Sequence, residues 1–135
     1  DCLDKQTVLK SLYKHLCRLN LIAHNGQFEW KVMYHEGWTL EIGDDTLLLN
    51  FSIFPIPIKG FATLKNLSRL WFNNETWEFS QLFGGKAEPE MLVYLPEDLL
   101  MIYGCADADY ARMLKYKSMV NLLCLSMRYL TIQIL

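Results

Sequence analysis

The stretch from Gln27 to Ile53, QFEWKVMYHEGWTLEIGDDTLLLNFSI, decides how the rest of the chain is read. Phe28, Trp30, Val32 and Tyr34 alternate with Gln27, Glu29, Lys31 and Met33, the period-two pattern of a half-buried strand. Glu36-Gly37 then reads as a tight turn, and Trp38, Leu40 and Ile42 resume the alternation around Thr39 and Glu41. Gly43-Asp44-Asp45 reads as a second turn, after which Leu47, Leu49, Phe51 and Ile53 form the apolar face of a third strand opposite Asn50 and Ser52. Strands joined by turns this short pair only as an antiparallel meander.

Upstream, Val8, Leu12, Leu16 and Leu19 recur at helical spacing, with Asp4 placed to cap the start and Asn25-Gly26 to turn the chain. Downstream, Pro55-Ile56-Pro57 closes the third strand. The run from Phe61 to Phe72 predicts a second helix, stopped by Asn73-Asn74. Trp77, Phe79 and Phe83 predict a fourth strand, 91–95 and 99–103 a fifth and sixth, and a third helix opens near Asp107 or Asp109 and runs to about Tyr129. Residues 130–135 fit either helix or strand. The expectation is one α+β domain over residues 1–135, an antiparallel sheet with helices packed mainly on one face, in the order α-βββ-α-βββ-α.

Composition narrows the function classes. The 135 residues are 52% hydrophobic and 13% aromatic, enough for a core and somewhat more than a lone domain needs. A formal net charge of −2 offers no footprint for nucleic acid. Charge is unevenly placed: Glu75 to Asp109 carries eight acids against Lys86 alone, and Arg112, Lys115, Lys117 and Arg128 follow with no acid among them. The apolar stretch 119–135 holds Asn121, Arg128 and Gln133, costly in hydrocarbon, so it reads as a buried helix and not a membrane span. The opening residues Asp1 to Lys5 lack the pattern of a secretory leader.

Chemistry-bearing motifs are scarce. Cys2, Cys17, Cys105 and Cys124 form neither a C-x-x-C pair nor a zinc spacing. His15, His24 and His35 lack ligand spacing, His15 and Cys17 point apart on a helix, and Asp107-Ala108-Asp109 lacks the other ligands of a calcium loop. No catalytic residue, metal site or cofactor is expected, and the chain reads as a binding protein and not an enzyme. The second helix is apolar over more than one stripe, which points to a twin subunit. The large groups Trp30, Trp38, Phe51, Phe54 and Ile56 point to a partner face on the sheet.

Three stretches carry a family likeness: LKSLYKHLCRLNL from Leu9 to Leu21, DDTLLLNFSIFPIP from Asp44 to Pro57, and LKNLSRLWFNN from Leu64 to Asn74. The chain resembles the class I chaperones of bacterial type III secretion systems, small acidic proteins with a similar element order, although its opening turn lacks the family's glycine. The resemblance implies a cytoplasmic bacterial homodimer that binds the extended N-terminal segment of a secreted effector and keeps it secretion-competent. It further implies a dimer seam at Leu64, Leu67, Leu70, Trp71 and Phe72. Trp30, Val32, Trp38, Phe51, Ile53 and Phe54 then take the effector.

Two other readings fit the same residues. One is a different protein-binding α+β module, such as an immunity protein or a viral inhibitor. The other is a secreted, disulfide-containing glycoprotein, prompted by the acceptor patterns at Asn50, Asn66 and Asn74.

Overall fold

The Asp4 carboxylate starts the first helix, accepting a hydrogen bond from the Thr7 N–H at 2.9 Å. Helix α1 (Lys5–Leu16) buries none of its residues; it is tied to the molecule by a Lys5–Glu36 ion pair at 3.0 Å and by the Tyr13 ring, 5.4 Å from that of Trp38. This computed structural model describes residues 4–54, 60–76, 78–86 and 88–133. The readings at Cys2, Pro55 to Pro57, Trp77 and residues 134–135 lie outside that set.

After α1 the chain departs from the expected meander. A short strand β1 (Leu21–Ala23) is followed by helix α2 (Gly26–His35), strand β2 (Ile42–Asp45) and helix α3 (Thr46–Ile53). Among the described residues, β1 and β2 make the only sheet, and they pair in parallel, Leu21 with Ile42 and Ala23 with Asp45. The parallel sense follows from the connection: a crossover helix, not a hairpin turn, joins the two strands. Gly43 sits where β2 passes Asn20, whose side chain occupies the space a Cβ would need.

The six-stranded antiparallel sheet is therefore replaced by a mostly helical fold. Residues 27–34 are helical because alternation also places Phe28 with Val32, and Trp30 with Tyr34, four residues apart. Trp30 and Tyr34 indeed stack at 5.2 Å along the helix. The deciding interaction comes from outside the segment: Asp45 accepts from the N–H groups of Asn25 at 3.0 Å and Gly26 at 2.8 Å, capping α2 from the neighbouring strand. Asn25 holds the left-handed conformation (φ 69°) that lets the chain turn into the helix. The same Asp45 caps α3 through the Leu47 N–H at 2.9 Å. What reads as a turn dipeptide is thus the hub of two helix starts, and a short apolar run such as 47–53 satisfies either period.

The later elements also change type. Helix α4 (Leu64–Phe72) lies within the expected second helix, capped by Thr63 and ended by Asn73 at φ 54°. Residues expected in strands four to six instead form the one-turn helix α5 (Phe79–Leu82), a 3₁₀ turn (Pro89–Tyr94) and the start of a long helix α6 (Glu97–Gln133). Pro96 precedes α6 and its carbonyl accepts from the Leu99 and Leu100 N–H groups, with Glu97 and Asp98 favourable at the helix N-terminus. Helix α6 is the spine: α3 and α4 pack along it, and β1 touches it.

The core is small. Ala23, Leu40, Leu67, Ala111 and Leu114 are its buried apolar side chains among the described residues, interleaved with buried Thr46, Asn50, Lys65, Ser68, Thr76 and Ser118. A cross-link at β2, Lys115 Nζ to Asp44 Oδ2 at 2.6 Å, fixes α6 against the sheet.

His24 ties β1, α3 and the loop before α4 together. Its Nε2 donates to the Ala62 carbonyl at 2.8 Å. Its Nδ1 lies 2.9 Å from the Thr46 hydroxyl, which donates to the Ala23 carbonyl at 3.1 Å. Burial holds the imidazole below its ordinary range, against the opposing pull of the Ala62 carbonyl and the Asp45 charge. The folded pKa is depressed, so this contribution to stability is complete above the unfolded histidine value. It is lost as pH falls through the folded one. The thermal midpoint advantage of the wild type over His24→Gln should therefore shrink between about pH 7 and about pH 5. An advantage that stays constant across that interval contradicts the burial account.

Candidate binding groove

A concavity beside the expected partner residue Trp30 lies where α2, β2 and α3 meet. It has a volume of about 500 Å³ and is lined by Gly26, Gln27, Trp30, Leu40, Glu41, Ile42, Asp45 and Leu48. Each element supplies a wall. Helix α2 presents Trp30 one turn beyond its capped start, β2 presents Ile42, and α3 presents Leu48 one turn beyond the Asp45 cap. Gly26 keeps α2 close to the sheet, since a Cβ there would come within 2.9 Å of Ile42 Cδ1.

Trp30 is 48% and Leu48 63% exposed, while Leu40 at the base is buried. An indole and an isobutyl group standing over an apolar floor make a place where another chain's apolar side chain gains burial. The rim is polar, and Glu41 makes it acidic: Gln27 and Glu41 are both exposed. The groove thus suits an apolar anchor with a basic neighbour.

The six residues expected to meet a partner do not share one face. Trp30 lines the groove, and Val32 is exposed farther along α2. Trp38 rests on Tyr13, and Phe54 lies 5.6 Å from the Trp71 ring. Phe51 and Ile53 are half-buried on α3. The expected seam on α4 is divided in the same way. Leu67 is fully buried and Leu70 is 53% exposed; Leu64 and Phe72 are half-buried, and Trp71 sits beneath the Lys117 ammonium at 5.6 Å. Leu48 is the groove residue that a strand reading hides, because alternation with Leu47 and Leu49 puts it on the opposite face from them. Leu40 and Ile42 share the second strand's apolar face without being among the expected partner residues. Asp45, able to cap a helix on either side, is the signal that would have found them.

A second cleft of about 260 Å³, lined by Glu75, Ile102, Tyr103, Ala106, Asp107 and Tyr110, lies beside the buried Lys65. Lys65 Nζ contacts the Tyr103 hydroxyl and stands 3.7 Å from Asp107 Oδ1, so that cluster is occupied in joining α4 to α6. Among the described residues, no three His, Cys, Asp or Glu side chains are grouped to hold a metal ion. Cys17, Cys105 and Cys124 are free thiols. Asn50 is buried, and Asn66 is bound to the Gly60 carbonyl at 2.7 Å and to Arg69 at 2.9 Å, a poor presentation for glycan attachment in the folded chain. No helix among the described residues is long and apolar enough to cross a membrane.

Exposed large apolar residues occur on every long helix, including Phe28 and Tyr34 on α2 and Tyr116, Val120 and Leu123 on α6. No protein-family model, curated protein or solved structure matches the chain.

Proposed function

We propose that the chain is a non-catalytic protein-binding module that captures an apolar segment of a partner in the groove between α2, β2 and α3. The observation that carries this reading is the open apolar groove walled by exposed Trp30 and Leu48, with buried Leu40 at its base. A partner segment with one apolar anchor and an adjacent Lys or Arg fits its acidic rim.

The secretion-chaperone likeness is the most specific form of this proposal: a cytoplasmic bacterial protein holding an effector's unfolded N-terminal segment. In the present fold such a guest lies on helix faces. Strand addition to a broad antiparallel sheet is not its route, because the described residues form only two short strands.

Trp30→Asp and Leu48→Asp place a charge on exposed positions and should leave helical circular dichroism unchanged. Each should lower partner affinity by about thirtyfold or more, the cost of removing an aromatic or aliphatic anchor. Co-purification of wild type and variants from the native host reads this directly. A partner retained equally by both variants removes the groove from the account.

A further inference from the structure

We propose that the chain pairs with a second copy of itself along the outer face of α6, with the two helices antiparallel. This inference uses no residue of the α2 groove and stands separately from what that groove binds.

Ile102, Cys105, Asp109, Arg112, Tyr116 and Met119 follow one another in alternating steps of three and four, the spacing of a coiled-coil seam. The stripe lies opposite the side that carries Ala111, Leu114 and Ser118 against α3 and α4, and it is open. Ile102 is 51%, Tyr116 56% and Met119 44% exposed, and the Asp109 and Arg112 side chains are more than half exposed.

The order of residues along the stripe says what covers it. An Asp109–Arg112 pair sits at the centre, with apolar positions on both sides. Place a two-fold axis beside residues 110 and 111 of an antiparallel pair. Asp109 of each copy then meets Arg112 of the other, Cys105 meets Tyr116, Ile102 meets Met119, and the flanking Met101 meets Val120. Leu123 falls opposite Asp98 in the first turn, where the seam ends. The stripe is self-complementary, which is what an isologous interface requires. A parallel pair instead stacks Asp109 on Asp109 and Arg112 on Arg112, two like-charge layers that oppose it.

The seam from Met101 to Leu123 is about 33 Å long at the helical rise.

Light scattering of the full chain at micromolar concentration should give twice 15.8 kDa. Arg112→Asp, at an exposed position, should weaken the dimer by about a hundredfold with helicity retained, by placing four carboxylates at the centre of the seam. The exchange D109R/R112D should restore it. Orientation is read by oxidising a chain carrying Cys2→Ser, Cys17→Ser and Cys124→Ser. The two Cys105 thiols stay apart in the antiparallel seam and form no covalent dimer, whereas adding Tyr116→Cys produces one. A monomeric wild type, an Arg112→Asp protein that still dimerises at wild-type strength, or a covalent dimer through Cys105 alone overturns the proposal.

Discussion

Truncating Leu114 to alanine is expected to cost about 3 kcal/mol of folding stability, and Leu67→Ala about the same. Both side chains are buried, Leu67 at 0% and Leu114 at 1% exposure, on the helices α4 and α6 that pack together. The usual penalty is lost transfer energy plus an unfilled cavity. It weighs heavily here because Leu40 is the only other large apolar side chain fully inside among the described residues. Against a typical domain stability of about 5–15 kcal/mol, either change removes a large fraction. Urea denaturation with an unchanged slope and a lowered midpoint checks this. Val93→Ala, at a position 80% exposed, serves as the control and should move the midpoint little. Equal small effects at 67, 114 and 93 contradict the packing described for α4 on α6.

The second large effect is expected at Lys65. Its side chain is 9% exposed, its ammonium lies over the Tyr103 ring at 3.9 Å, and it pairs with Asp107 at 3.7 Å. Burial pushes the Asp107 carboxyl above the usual carboxylate range, with the Lys65 charge pulling the other way. Lys65→Ala strands that carboxylate and should destabilise the chain by about 3 kcal/mol. Removing both charges while keeping the volume, as in K65M/D107N, should recover most of the loss, since a buried ion pair contributes little net stability over apolar groups of its size. A double-mutant cycle in urea reads the coupling. A Lys65→Ala protein as stable as wild type shows that the pair is solvated and does not hold α4 to α6.

What the sequence made legible was local. Asp4 caps α1 through a residue three positions on, Asn73 stops α4 in the left-handed conformation, and the apolar C-terminal run is helical through Gln133. Each of these signals lies within one turn of the element it governs. The middle of the chain failed for a physical reason. Phe28, Trp30, Val32 and Tyr34 satisfy a strand's period of two and also two helical i,i+4 pairs, so pattern alone cannot choose. The choice is made by Asp45, nineteen residues beyond Gly26, whose carboxylate satisfies the first N–H groups of α2. A contact that long-range is invisible to a local window. Once 28–34 is helical, β1 and β2 run parallel, and the meander and its partner face are lost together.

The groove is legible only in part: Trp30, one of the expected partner residues, lines it, but the neighbours it meets there come from β2 and from a helix, α3, that the period-two pattern reads as a strand. The α6 seam was hidden because the expected third helix began ten residues too late, near Asp107 and not at Glu97, which removes Ile102 and Cys105 from the repeat.

The claim that this chain works by capturing a protein segment in the α2 groove is tested most directly by site-specific photo-crosslinking in the native host. A photoreactive residue is placed at Trp30, and a control at Val93, which is exposed and lies outside the groove. The account expects one discrete protein adduct from position 30, lost when Leu48→Asp is added, and none from position 93. No adduct from position 30, or the same adducts from both positions, contradicts it.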